Sequence, residues 1–244
     1  MAPKLARIDL KNVTIKILDG KAIASTALLD GAVSVGDTTV TLATGGVAAE
    51  GLAVGDWISP DSTGFRPRYW ITKIDADELT LDRASTEAWI DAAVFGRQSP
   101  NEVEINIGEG NITWSTKDAN EYRLNKRSLD TVVSGDEQPM DVSFSIVWDA
   151  LIDRIGGSAP RPYEALKNIG EAAAWISAGE LCEKFAVDIV VYNEPDCATL
   201  TDPSELYIFP MFRWDEIAGD MSNNALEATG RCNVLEPVIA RYGS

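Results

Sequence analysis

The stretch at residues 134–148, SGDEQPMDVSFSIVW, decides the fold because a turn signal directly precedes a strictly alternating run. Its apolar residues all fall on one face of an extended chain: Met140, Val142, Phe144, Ile146 and Trp148. The other face holds Asp141, Ser143, Ser145, Val147 and Asp149. A period of two predicts a β-strand that is buried on one side only. The pattern leaves open what the small and acidic second face does.

Similar runs recur along the chain and predict a mainly β protein. Strand-like segments separated by turn residues lie at 12–18, 102–107, 112–116, 121–125, 185–192, 205–214 and 225–234. The 185–192 segment is apolar on both faces, which predicts a central strand. Pro210 predicts an edge or a bulge within 205–214. The exception is 160–178, where Pro162 and Glu164 suit the first turn of a helix, so we expect one flanking α-helix, interrupted near Gly170.

Residues 30–95 differ from the rest of the chain. Very short strand-like runs alternate there with Gly-Asp and Asp-rich turns. This density of turns predicts a small, self-contained β-module, inserted into a main domain formed by 1–29 and 96–244. Within the module, RPRYW (66–70) combines arginine with aromatic residues. It predicts a loop in which an arginine stacks on Tyr69 or Trp70.

Composition and charge restrict the class of function. The chain has 244 residues and a formal net charge of −17. This charge argues against a protein that grips nucleic acid phosphates or anionic membrane surfaces with Lys and Arg. The first residues lack the apolar segment of a signal peptide, and no apolar run reaches the length of a membrane span. We therefore expect a protein that is made and folded in a cytoplasm, with no membrane partner.

The residues needed for common catalytic and metal sites are missing. The chain has no histidine, which removes histidine-based triads, iron sites with two histidines and most zinc sites. The cysteines Cys182, Cys197 and Cys232 show no C-x-x-C spacing, and we expect small buried thiols. No serine, cysteine or carboxylate pair has an activating partner at a motif spacing. The sequence therefore predicts a protein that is not an enzyme and has no cofactor or metal.

A short basic stretch stands out in this acidic chain. The segment RLNKR (123–127) brings Arg123, Lys126 and Arg127 together. In a chain of this charge, we expect it to contact an acidic patch on another copy of the same protein. Strands, turns and self-complementary charge together predict a structural protein.

Several motifs occur in an order and spacing that resemble those of bacteriophage tail tube proteins, also called major tail proteins. They are GEGN (108–111), LDTV (129–132) with the following turn and strand, AVDI (186–189) after Cys182, FPMFRW (209–214) and GRCN (230–233). With the N-terminal strand they span most of the chain outside residues 30–95. The inserted module does not belong to the minimal pattern, and it is similar to small β-modules found in phage structural proteins.

The resemblance implies a tail-tube fold, a β-sandwich or barrel with one flanking α-helix. It implies that subunits form hexameric rings, that rings stack into a tube in the virion tail, and that viral DNA leaves through the tube without specific binding. Inner strands of neighbouring subunits would join into one continuous barrel. The implied partners are further copies of the chain, a tape measure protein, and the tail terminator and tail tip proteins. Assembly would take place in the host cytoplasm.

On this interpretation, the second face of the opening strand lines the lumen or contacts a neighbouring subunit. The lumen candidates are Asp141, Ser143 and Ser145, because an acidic, small-residue lining repels phosphates and lets DNA slide. Glu102, Glu104 and Asn106 are the next candidates. The alternative is a host- or carbohydrate-binding β-module of a virion surface protein. In that alternative, Tyr69, Trp70 and Trp89 of the insert are the stacking aromatic residues.

Overall fold

The computed structural model describes residues 13–61, 67–106, 112–117, 120–125, 128–147, 160–179, 182–193, 204–220 and 225–242. Within these residues the strands are β1 Val13–Leu18, β2 Ala22–Leu28, β3 Thr39–Thr41, β4 Trp57–Ser59, β5 Tyr69–Asp75, β6 Glu78–Leu81, β7 Val94–Gln98, β8 Glu102–Asn106, β9 Ile112–Ser115, β10 Asn120–Asn125, β11 Ser128–Ser134, β12 Met140–Val147, β13 Val187–Asn193, β14 Ser204–Asp220, β15 Ala225–Cys232 and β16 Val238–Tyr242. The helices are α1 Gly46–Glu50, α2 Pro162–Lys167 and the 3-10 turn Gly170–Ala172. The predicted mainly β class is confirmed.

The larger sheet has eight strands, all in antiparallel pairs. Its order is β8-β1-β13-β14-β15-β12-β9, and β16 also pairs with β14. The first half of β14 pairs with β13 and β16, whereas its second half, beyond Phe212, pairs with β15. Strand β14 therefore joins two halves of the sheet. Inward side chains from both halves contribute to one apolar core.

The opening stretch folds as its period predicts. Met140, Val142, Phe144 and Ile146 of β12 are buried in the main core, whereas Trp148 lies outside the described residues. The Phe144 ring packs 5.5 Å from that of Phe212 on β14. The predicted central strand 185–192 is also correct, because β13 lies between β1 and β14 and is buried on both faces.

The helix predicted within 160–178 ends just before the expected interruption near Gly170, and only a 3-10 turn, Gly170–Ala172, follows it. Helix α2 covers only Pro162–Lys167, and Asn168 ends it in a left-handed conformation with φ of 54°. Pro162 and Glu164 occupy the first turn as the sequence predicts, and the Glu164 carboxylate accepts a hydrogen bond of 2.9 Å from the Arg161 amide. The short helix places Ala165 and Leu166 against the main core.

A bulge at Pro210 bends β14, as the proline predicts. The register between β13 and β14 shifts there, and Met211 has a φ of 53°, which is rare for a residue with a side chain. The Met211 amide donates a 2.8 Å hydrogen bond to the carboxylate of Asp188 on β13. A second shift follows at Trp214, where a Cβ on Gly230 would collide with the Arg213 carbonyl. The glycine of the GRCN motif thus allows β15 to approach the bent strand closely.

The second sheet contains six strands in the order β2-β7-β4-β5-β6-β3, and its two outer strands meet. Leu29 and Leu42 form an antiparallel bridge, in which the Asp30 amide bonds to Thr41 at 2.9 Å and the Ala43 amide to Leu28 at 2.9 Å. The sheet encloses its own apolar core. It spans 22–98, so its strands begin before and end after the predicted 30–95. We call residues 22–98 the closed module.

A third apolar cluster joins the closed module to the larger sheet. Trp57 and Trp70 of the module pack against five residues of the larger sheet: Leu18, Val190, Leu206, Ile208 and Ala240. Arg68 of the module donates hydrogen bonds of 3.1 Å to Asp188 and 2.6 Å to the Gly20 carbonyl. The module is therefore fixed to the outer side of β13 and β14 by apolar contacts and a buried ion pair.

Strands β10 and β11, which follow β9 and precede β12 in the chain, form a separate two-stranded hairpin. Among the described residues, no helix is long and apolar enough to cross a membrane.

Candidate functional site: a polar face on the larger sheet

The side chains of β12 that point away from the core form a polar face together with neighbouring strands. Strand register places Asp141 between Ser115 of β9 and Arg231 of β15. It places Ser143 between Thr113 and Thr229, and Ser145 opposite Glu227. We call these residues, with Lys117 and Asp215 beside them, the outer polar face. Apart from its ion pairs, this face consists mainly of small hydroxyl side chains.

Ion pairs organise the centre of the outer polar face. The Lys117 ammonium donates a hydrogen bond to the Asp141 carboxylate. The Arg231 guanidinium lies 3.2 Å from the same carboxylate and 3.6 Å from that of Asp215. Asp141 is thus the shared partner of two cations, one on the segment after β9 and one on β15.

These charges shift the titration of Asp141. The hydrogen bond from Lys117 is the main cause that holds the pKa of this carboxyl below its ordinary value of 3.8, and the charges of Lys117 and Arg231 act in the same direction. Asp141 is therefore ionised at neutral pH. The residues predicted to line the lumen are polar and small, but the negative charge of Asp141 is compensated by the side chains of Lys117 and Arg231.

The three first-choice lumen residues lie together. Asp141, Ser143 and Ser145 are half-buried side chains on the same face of β12. A shallow depression of about 360 Å³ covers Asp141 and Ser143 and also borders Trp114 of the edge strand β9. Trp114 faces the core side, and its ring lies 5.6 Å from those of Tyr207 and Phe209. It nevertheless remains 41% exposed, because β9 is an edge strand among the described residues.

The second-choice candidates lie at the opposite end of the strand order. Glu102 and Glu104 are exposed on β8, and Glu102 forms a 2.9 Å ion pair with Lys16. The backbone of Asn106 belongs to β8, but its side chain is outside the described set. The structure therefore does not bring these residues together with Asp141 into one strand-to-strand surface.

The predicted basic contact falls mostly outside the described residues. Arg123 belongs to strand β10 by its backbone, whereas Lys126 and Arg127 lie between β10 and β11 in a part that is not described. The assignment of Arg123, Lys126 and Arg127 to an inter-subunit contact stays a prediction.

The aromatic residues of the alternative function are not on the surface. Tyr69, Trp70 and Trp89 are all at most 3% exposed. Tyr69 and Trp89 belong to the core of the closed module, and Trp70 belongs to the cluster that joins the module to the larger sheet. Their assignment as sugar-stacking residues is therefore wrong. Arg68 stacks on the ring of Trp57, at 4.4 Å, whereas the arginine that lies over Tyr69, at 5.2 Å, is Arg83 from outside the RPRYW segment.

Sequence reasoning missed the polar contact between the module and the sheet. Asp188 is buried, and desolvation raises its pKa while the Arg68 charge and the Met211 amide lower it. A cleft of about 340 Å³ lies beside this pair and is bordered by Trp70, Pro210 and Met211. The available signal was a single carboxylate inside the apolar run FAVDIVVY (185–192), since a buried charge requires a partner.

A second cleft, of about 410 Å³, lies on the other side of the junction. Asp56 borders it, and burial raises the pKa of this carboxyl to about 6. Glu50 of α1 also borders it. Burial acts to raise the pKa of Glu50, but hydrogen bonds from Thr26 and Ala27 and the charge of Arg97 outweigh it and lower the pKa. Glu50 therefore ties α1 to β2 as a paired carboxylate.

The cysteines differ in their surroundings. Cys232 is buried in the main core, and desolvation raises the pKa of its thiol. Cys182 is exposed, so the prediction of a buried thiol is wrong there, and Cys197 is outside the described residues. Among the residues that the structure describes, no group of histidine, cysteine or carboxylate side chains is arranged to hold a metal ion.

The chain matches no protein-family model, no curated protein sequence and no solved structure in the comparisons made.

Proposed function

We propose that the chain is a structural subunit of a bacteriophage tail tube, which assembles into stacked hexameric rings around a conduit for viral DNA. The observation that carries the proposal is the outer polar face. Small hydroxyl side chains and paired charges on the three strands β9, β12 and β15 form one face of the sheet, and the opposite face of β12 is wholly apolar. Such a surface has little apolar area that could hold passing DNA. Its cations Lys117 and Arg231 are already paired with the carboxylates of Asp141 and Asp215.

The edges of the larger sheet support self-assembly. Among the described strands, β8 and β9 each pair with one neighbour only, so each presents an unpaired edge. Unpaired edges template strand pairing with another chain, and natural proteins cover, charge or pair them. Pairing β9 of one subunit with an edge of the next would remove the edges around a closed ring. The order of motifs shared with tail tube proteins supports the same assembly.

The remaining partners follow from this role. A tube needs a tape measure protein in its lumen during assembly and terminator and tip proteins at its ends, and these belong to the proposal. The role requires no catalytic group, cofactor or membrane contact.

Negative-stain electron microscopy of the purified chain tests the proposal. We expect rings or tubes of uniform diameter at raised protein concentration. Sedimentation velocity on the same sample should show a concentration-dependent shift from monomer to large particles. Dispersed monomers at all concentrations, with a cooperative thermal melt that proves folding, would contradict the proposal.

A further inference from the structure

Two cationic side chains on the outer polar face, Lys117 and Arg231, are exposed enough to contact phosphates. The carboxylate of Asp141 forms an ion pair with each of them. The side chains of Lys117 and Arg231 are 49% and 60% exposed, so a nucleic acid passing over the face can reach them. Asp141 lies between them and pairs with each. Within the described part of the chain, Asp215 pairs with Arg231 at the longer distance of 3.6 Å.

We propose that Asp141 keeps this face from binding nucleic acid by pairing with Lys117 and, together with Asp215, with Arg231. The inference rests on the proposed function, and it identifies the residue that lets DNA slide over the surface of the conduit. The acidic composition of the whole chain is not sufficient for this, because charges farther apart than about 8 Å are screened at physiological salt. The carboxylate has to lie within contact distance of the cations.

The physical reason is counterion release. Each Lys or Arg that neutralises a DNA phosphate releases a condensed cation, which favours binding without regard to sequence. A cation held by a carboxylate has to break that pair before it contacts a phosphate. Stacked rings would repeat an unpaired Lys117 along the whole path of the DNA. A small affinity at each subunit would then add up to strong retention.

The test measures binding of a fluorescent double-stranded DNA oligonucleotide to the unassembled full-length chain, by anisotropy at several salt concentrations. We expect no measurable binding for the unmodified chain. We expect Asp141→Asn to bind, with a log–log salt slope of about −0.9, the value for one phosphate contact. Adding Asp215→Asn should free Arg231 as well and give a slope of about −1.8, the value for two contacts. Each contact corresponds to about a 3.5-fold change in affinity between 50 and 200 mM salt.

Two controls separate a local effect from a change in net charge. Asp75→Asn removes one negative charge from an exposed lysine-paired aspartate of the closed module, beside Lys73, and should not promote binding. Lys117→Gln in the Asp141→Asn background should abolish the gain. Asp141→Ser, which matches the neighbouring Ser143 and Ser145, serves as a second variant if Asp141→Asn melts at a lower temperature than the unmodified chain.

The outcomes distinguish this inference from the proposed function. Equal DNA binding by Asp141→Asn and Asp75→Asn, or a gain that persists without Lys117, would overturn the inference. Because DNA binding is measured before assembly, this result can be obtained whether or not tubes form. If tubes form but Asp141→Asn gains no DNA binding, the proposed function holds and this inference is overturned. A gain in binding without tubes would support the masking role of Asp141 and contradict the tube proposal.

Discussion

The two sheets of this chain treat their edges in opposite ways. The closed module joins its outer strands through the Leu29–Leu42 bridge and surrounds its own core. The larger sheet leaves β8 and β9 with one neighbour each among the described strands. The closed module therefore has no need of a partner strand, whereas the larger sheet offers edges to one. Under the proposed function, this difference places self-assembly in the larger sheet, with the closed module attached to its outer side.

The largest expected effect comes from separating the two regions. The Ser99 amide bonds to the Lys21 carbonyl at 3.0 Å, so a short Gly/Ser bridge can replace 22–98. We expect the isolated 22–98 fragment to melt cooperatively because its core is complete. The shortened main chain should fold with a much lower melting temperature, since it exposes Leu18 and Leu206 and leaves Asp188 without Arg68.

Circular dichroism melts of the 22–98 fragment and of the shortened main chain make this measurement. A fragment 22–98 without a cooperative transition would show that the closed module depends on the larger sheet. Deletion of the predicted module 30–95 should be worse than deletion of 22–98, because it leaves β2 and the last three residues of β7 without the rest of their sheet.

Substitutions at Phe144 and at its neighbour Ser143 test which face of β12 packs in the core of the larger sheet. Phe144→Ala should lower the free energy of unfolding by about 3–5 kcal/mol, the range for deleting a buried aromatic side chain. Ser143→Ala, on the outer polar face, should leave it nearly unchanged. Denaturant melts of the two variants check the assignment, and the reverse order would mean that the two faces of β12 are exchanged.

The junction should be sensitive to the loss of one ion-pair partner. Arg68→Met leaves the Asp188 carboxylate buried without a countercharge, which costs about 3–5 kcal/mol. The pKa of Asp188 is raised in the folded state, so folding favours the protonated carboxyl. The stability that this protonated carboxyl contributes is therefore present at low pH and is lost as the pH rises through the pKa of the folded state. The deficit of Arg68→Met should therefore shrink as the pH is lowered from 7 toward 4.

Urea melts of the unmodified chain and Arg68→Met across this pH range provide the readout. Asp188→Asn combined with Arg68→Met is the matched control, and its deficit should vary less with pH. A deficit of Arg68→Met that is constant between pH 4 and 7 would show that Asp188 is not the group left uncompensated.

The smallest effect on the folded subunit is expected at the predicted basic contact. Replacing Arg123, Lys126 and Arg127 with glutamate should leave the melting temperature of the monomer unchanged but hinder ring formation. Individual surface pairs contribute only about 0–1 kcal/mol, so the effect depends on their repetition around a ring. Normal assembly of the triple variant at low salt, seen by sedimentation velocity, would remove this stretch from the inter-subunit contact.

Local patterns were sufficient where one strand determines its own environment. The alternation over β12 predicts which side chains enter the core, and Pro210 predicts the bulge in β14. The helix ends at Asn168, two residues before the predicted interruption near Gly170, and asparagine is among the residues that tolerate a left-handed conformation.

Features that depend on distant residues were not predictable from such patterns. The Arg68–Asp188 pair joins residues 120 positions apart, and its formation depends on how the module docks. Likewise, alternation identified Asp141 as outward, but only the register of β12 against β15 places Arg231 opposite it. The compensation of charge on the outer polar face is therefore a property of strand pairing, which composition does not reveal.

The most direct test of the account is a cryo-electron microscopy reconstruction of tubes assembled from the purified chain. The account predicts that Asp141, Ser143 and Ser145 face the tube axis, with the closed module on the outside and β9 paired to a neighbouring subunit. A lumen lined by the closed module, or an outer polar face buried between subunits, would contradict it.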